Sequence, residues 1–127
     1  MNESHVNTIE IEVLTRYLDE QSNPAEHRFG FAYTITIRNT GSITAQLLDR
    51  HWIITDGNGK VQEVRGDGVV GEQPVLAPGA SHSYTSGCLL ETPVGSMQGS
   101  FGMRSEQGDS FRAPVPVFRL AKPNMLH

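Results

Sequence analysis

From Phe29 to Arg38 large and small side chains alternate without a break. Phe29, Phe31, Tyr33, Ile35 and Ile37 fall on one side, and Gly30, Ala32, Thr34, Thr36 and Arg38 on the other. A period of two in aromatic and β-branched residues describes a strand buried on one face and wet on the other, and a helix would scatter the same residues around its axis. An earlier segment repeats the pattern, with Ile9, Ile11, Val13, Thr15 and Tyr17 opposed by Glu10, Glu12, Leu14 and Arg16. Between the two lies a polar loop, Asp19 to Pro24, with a turn signal at Asn23-Pro24.

The remaining chain reads the same way. Asn39-Thr40-Gly41-Ser42 turns into a strand from Ala45 to Asp56, and Asp56-Gly57-Asn58-Gly59 is a hairpin signal leading into Lys60 to Arg65. Alternation along the third strand puts Leu48, Arg50, Trp52 and Ile54 on one face and Asp49 on the other. Gln73 to Leu76 suits a short edge piece, since proline is tolerated at edges. Ser81 to Leu90 and Val94 to Ser105 follow, the latter with Met97, Gly99, Phe101 and Met103 aligned. Beyond the turn Glu106 to Asp109, the last strand groups Phe111, Ala113, Val115 and Val117, while Pro114 and Pro116 imply an exposed edge. Seven to eight short strands separated by turns predict an all-β fold: an antiparallel two-sheet β-sandwich of fibronectin type III or immunoglobulin kind, with Trp52 in its core. No linker or repeat interrupts the sequence, so a single domain is expected over residues 1–127, with a few loose residues at each end.

Composition narrows the function classes. The 127 residues carry a net charge of −4, with 10 scattered cationic side chains, so the basic footprint of a nucleic-acid binder is missing. No apolar run approaches the length of a membrane span, and Met1 to His5 lack the charged and apolar regions of a secretory signal. The one cysteine, Cys88, has no internal partner and reads as a small buried strand residue. These features predict a cytoplasmic protein that does not insert into membranes.

Val64 to Pro74 contains Gly66-x-Gly68-x-x-Gly71, a GxGxxG spacing. Dinucleotide sites with that spacing need a helix N-terminus directly after the glycines. Here Pro74 and Pro78 forbid the helix, and Glu91, placed where a ribose-binding acid would stand, is left without context. The stretch reads as a connection whose glycines take positive φ or admit a neighbouring backbone.

Phe31 to Asn39, Gln46 to Asp56, Val64 to Pro74, Pro78-Gly79, Tyr84 to Cys88 and Thr92 to Gly99 resemble, in that order, the ApaG family. The resemblance runs from about Asn7 to Leu120. His82 stands where the family usually has an aromatic residue, and Phe101 where it usually has tyrosine. The resemblance implies a fibronectin type III-like sandwich. It also implies a link to cobalt and magnesium efflux in bacterial members, and partner recognition in eukaryotic proteins that include an F-box protein and a polymerase-interacting protein. It brings no catalytic residues.

The residues bear on three chemistries. For a metal, the histidines His5, His27, His51, His82 and His127 form no paired signature. Asp49 and His51, two apart on one strand face, are the weak candidates and need a third ligand. For hydrolysis, Ser81, Ser83 and Ser86 alternate with His82 and cannot pair with it by proximity along a strand, and Glu10 with Glu12 reads as a solvated face. No enzyme activity and no cofactor are expected. The third chemistry is a binding surface for a ligand or an as yet unknown protein partner. It comprises Arg65, Gly66, Asp67, Gly68, Gly71 and Glu72 with Asp49 and Arg50 beside them. Arg50 stacks on Trp52 and pairs with an acid in the simpler structural account, and unpaired glycine N–H groups form an anion nest in the functional one. The preferred reading is a non-enzymatic interaction or adaptor domain that supports cobalt and magnesium homeostasis indirectly. A sensor of a divalent metal or pyrophosphate is the alternative. A free sheet edge would also suit strand addition or weak homodimerisation.

Overall fold

The computed structural model describes residues 8–124; His5, His127 and the loose ends expected at the termini lie outside them. Eight strands run in sequence: β1 Ile9–Asn23, β2 Arg28–Asn39, β3 Ala45–Asp56, β4 Val61–Asp67, β5 Val75–Leu76, β6 Ser81–Leu90, β7 Val94–Ser105 and β8 Ser110–Ala121. A 3-10 turn, Pro24–Glu26, joins β1 to β2. All pairings are antiparallel. One sheet has the order β1-β2-β6, and the other has the order β4-β3-β7-β8, with β5 pairing on β3. The expected two-sheet antiparallel sandwich is therefore the architecture observed, and β8, with its two prolines, is an edge as predicted.

The core forms where the inward faces meet. Phe31, Ile35 and Ile37 from β2 lie against Leu47, Met97, Phe101, Met103 and Leu120 from the other sheet, all essentially without solvent contact. Trp52 is buried and meets Tyr33, Phe101 and Phe118 edge-on, with ring centroids 5.7, 5.8 and 5.9 Å away. Such T-shaped contacts set the positive edge of one ring against the negative face of the next. Buried Asn39 ties the end of β2 to the neighbouring turns. Its Nδ2 donates to the Ile43 and Leu76 carbonyls, and its Oδ1 accepts from the Gly41 N–H.

Two bulges alter faces that simple alternation assigned. Leu47 pairs with Met103 and Asp49 with Gly102, so Leu48 is an extra residue in β3. The extra residue shifts the alternation. Leu47 and Ala45 enter the core before it, and Trp52 and Ile54 enter after it. Leu48 thus leaves the Trp52 face and lines the outer surface beside Asp49 and Phe111. In β8, Met97 pairs with Phe118 and Gly99 with Val115, which leaves Pro116 and Val117 opposite Gln98. Val117 turns outward, 62% exposed, and Phe118 takes the inward place expected of it.

Candidate functional site: the cleft between β4 and β6

The two sheets close on one side only. Edge strand β1 packs against edge strand β8, whereas β4 and β6 stand apart around a cleft of about 660 Å³. Its floor is Phe31, Tyr33, Trp52 and Ile54, its β4 wall Gln62 and Val64, and its β6 wall Ser86 to Leu89. A second hollow continues it toward Glu26, Asp56 and Glu91, sharing Arg28, Ile54, Gln62 and Leu89. Val64 and Leu89 remain exposed along the two walls. The strand pairing explains the composition of the floor: Val64 lies opposite Trp52 and Gln62 opposite Ile54, so one face of the β3–β4 pair points into the gap.

Arg50 is the charged centre of this cleft. It lies opposite Gly66, and its Nη1 donates to the carbonyls of Asp67 and Gly68 at 3.0 and 3.1 Å. No ion pair to Arg50 occurs among the described residues, and no carboxylate lines the cleft around it. The expected stacking on Trp52 and pairing with an acid therefore do not occur; the glycine-loop carbonyls take the guanidinium instead. Burial raises the Tyr33 phenol above its ordinary range, partly offset by a hydrogen bond with Ser86, and the positive charge of Arg50 acts on both Tyr33 and Tyr84. The Trp52 Nε1 and the Tyr84 hydroxyl are buried without a hydrogen-bond partner. Unpaired buried donors of this kind are uncommon in folded proteins.

The candidate residues from the sequence divide between two faces. Arg50 and Gly66 face inward, while Asp49 and His51 occupy the outer face of the same sheet. There Asp49 accepts from Arg112 Nη2 at 2.9 Å, and His51 Nε2 meets Glu63 Oε2 at 2.5 Å. Arg65 donates to that same Glu63 oxygen. Both weak metal candidates thus have protein partners, and among the described residues no group of three or more His, Cys, Asp or Glu side chains is placed to hold a metal. Asp49 and Arg50, adjacent in sequence, do not line one groove.

The glycine loop spends, on its own backbone and on β3, three of the N–H groups that an anion nest would draw on. Gly68 N–H donates to the Leu48 carbonyl, and Val69 and Glu72 exchange both of their backbone hydrogen bonds. Val70 and Gly71 between them both have positive φ, 48° and 80°, as a two-residue hairpin turn of primed type requires. Asp67, Gly71 and Glu72 are exposed around this turn. No sequence motif marks the cleft; Trp52 opposite hydrophobic Val64 is its one local signal.

The comparisons agree with this architecture. The ApaG domain family model matches residues 19–105. Protein ApaG of Pseudomonas paraeruginosa is 62% identical over 119 residues, covering 94% of each chain. Protein ApaG of Aromatoleum aromaticum is 58% identical over 127 residues, covering all of both chains. An X-ray structure from the Northeast Structural Genomics Consortium superposes with a TM-score of 0.92 at 51% identity, covering 98% of this chain and 94% of that one. An eight-stranded sandwich closed at β1–β8, together with near full-length identity of this order, shows that the chain belongs to the ApaG family.

Proposed function

We propose that this chain is a non-enzymatic interaction domain that receives an extended polypeptide segment along β6, with the segment's side chains entering the β4–β6 cleft. The observation that carries this reading is the character of β6. It is an edge strand of 10 residues, Ser81–Leu90, with no proline and no Asp, Glu, Lys or Arg. Soluble proteins ordinarily guard such edges with charge, proline or a covering element, because an unguarded row of N–H and C=O groups templates strand addition. In the other sheet, edge β8 is guarded by Pro114 and Pro116, and edge β4 carries Glu63 and Arg65. Beside β6 lies an aromatic floor that can bury alternate residues of an added strand.

The glycine-loop sensor reading has less support, since the Gly68, Val69 and Glu72 N–H groups are already paired. Any contribution to cobalt and magnesium homeostasis then runs through the bound partner, in the cytoplasm. The β1-β2-β6 on β4-β3-β7-β8 division supports the fibronectin type III-like description of the sandwich.

Site-specific photocrosslinking tests the proposal in cells, with benzoylphenylalanine placed at Leu89 on the cleft wall or at Val117 on the far edge. A discrete crosslinked polypeptide at position 89 that is absent at 117, and is lost when Val64→Asp is added, is the expected result. Equal crosslinking at both positions, or a product indifferent to Val64→Asp, would overturn it.

A further inference from the structure

Arg50 is held as a receptor would hold it. The guanidinium has five N–H donors in a planar fork. The two observed bonds both leave from Nη1, toward Asp67 and Gly68, so the side chain is fixed in place while the Nε–Nη2 edge is left without a protein acceptor among the described hydrogen bonds. That edge is the one that accepts a carboxylate through two parallel bonds. The cleft lining combines the rings of Phe31, Tyr33 and Trp52 with polar Gln62 and Ser86, and the only other cation on its wall among the described residues, Arg28, lies near Glu26 at 3.9 Å. The cleft therefore presents a half-buried positive charge without an ion-pair partner among the described residues, on a lining that also holds Tyr33 and Trp52. An incoming acid would gain strength there from exclusion of water. The partnerless Trp52 Nε1 adds an independent sign, since it is a buried donor on the same cleft floor with nothing to receive its proton.

We propose that the occupant of the cleft is a strand with an acidic side chain seated on Arg50, flanked two residues away on each side by apolar residues. The spacing follows from strand geometry, because residues i and i ± 2 project from the same face. The acid meets Arg50 while its apolar neighbours cover Val64 and Leu89 at the rims. This inference rests on the interaction reading above and names the chemistry of the segment that reading requires.

The probe is a set of three pools of capped heptapeptides, with mixed Val, Leu and Ile at the second and sixth positions and Thr at the third and fifth. The central residue is Glu in one pool, Gln in the next and Lys in the last. Retention on the immobilised full chain is read by mass spectrometry, and binding in solution by the fluorescence of Trp52, the only tryptophan. The Glu pool is expected to be retained about tenfold more strongly than the Gln and Lys pools, the scale of a charge-assisted hydrogen bond. That preference disappears in Arg50→Gln and persists in His51→Gln. Equal retention of all three pools, or preference for Lys, would overturn the acidic-strand inference and leave the cleft reading standing. No retention of any pool would overturn both. The comparison among pools on the unmodified protein decides the matter even if Arg50→Gln fails to fold.

Discussion

The guanidinium of Arg50 lies flat across Gly66, where a Cβ would stand 2.7 to 2.8 Å from Nη1, Cζ and Nη2. Gly66 belongs to β4 and is not among the glycines with positive φ. Its lack of a side chain serves the arginine opposite. Gly68 and Gly71, by contrast, have φ of 61° and 80°, a backbone region that L side chains seldom occupy. The three glycines of one motif thus answer two different physical demands.

Gly66→Ala should therefore act on the cleft more than on the fold. The added methyl meets the far end of a flexible side chain, so Arg50 swings away and its bonds to Asp67 and Gly68 are lost, at a cost of about 1 kcal/mol. Gly68→Ala meets the Glu72 backbone carbonyl and must also hold a positive φ. It should cost about 2–3 kcal/mol. Urea denaturation of both variants checks the ranking; equal losses would show that Gly66 is not simply making room for Arg50.

Gly99 of β7 lies close against β3. A Cβ there would strike the His51 carbonyl oxygen and come within 2.9 Å of the Trp52 ring. Neither obstacle is a mobile chain end, so Gly99→Ala should destabilise the domain by about 3 kcal/mol, the upper part of the overpacking range. Trp52→Ala should cost about 3–5 kcal/mol by opening a cavity among Tyr33, Phe101 and Phe118. Chemical denaturation followed by far-ultraviolet circular dichroism measures both, and a loss below 1 kcal/mol for Gly99→Ala would contradict the packing described.

Most of the fold was legible because the strands are amphipathic and their turns carry glycine, proline or asparagine. Bulges were not. A bulge adds one residue without altering composition, so the alternation that placed Leu48 with Trp52, and Val117 with Val115, continued past the points where the faces invert. The site was legible only in part. Arg50 and Gly66 could be singled out, but their meeting depends on the β3–β4 register, and the cleft depends on which sheet edges fail to close. Neither is a local property of sequence.

Glu63 gives the fold an acid-dependent element on its outer face. The hydrogen bond from His51, then the charge of Arg65, hold its carboxyl below the ordinary value of 4.5. A group with a depressed folded pKa stabilises the native state above its unfolded pKa, and that contribution fades as pH falls through the folded value. Glu63→Gln should therefore lower stability modestly above pH 4.5 and flatten its fall below that value. The difference from the unmodified protein should shrink in acid and in high salt, which screens an exposed ion pair. Thermal melts from neutral to acid pH provide the check, and an unchanged acid limb in the variant would show that other carboxylates control it.

Cys88 offers a direct reading of how dry the cleft is. Its thiol lines the β6 wall, and burial pushes its pKa from 9.0 up to about 11. Alkylation by iodoacetamide proceeds through the thiolate, whose sulfur forms the new bond to carbon as iodide leaves, so the rate follows the ionised fraction. At about pH 8 the native protein should react roughly a hundredfold more slowly than the same protein in urea, with desolvation and restricted access acting together. The native rate should then climb steeply toward about pH 10, provided Trp52 fluorescence shows that the fold persists. A peptide seated in the cleft should slow the reaction further. A native rate equal to the unfolded rate at about pH 8 would mean that the thiol is freely hydrated, and that the gap between β4 and β6 is too wet to strengthen an acid–arginine pair.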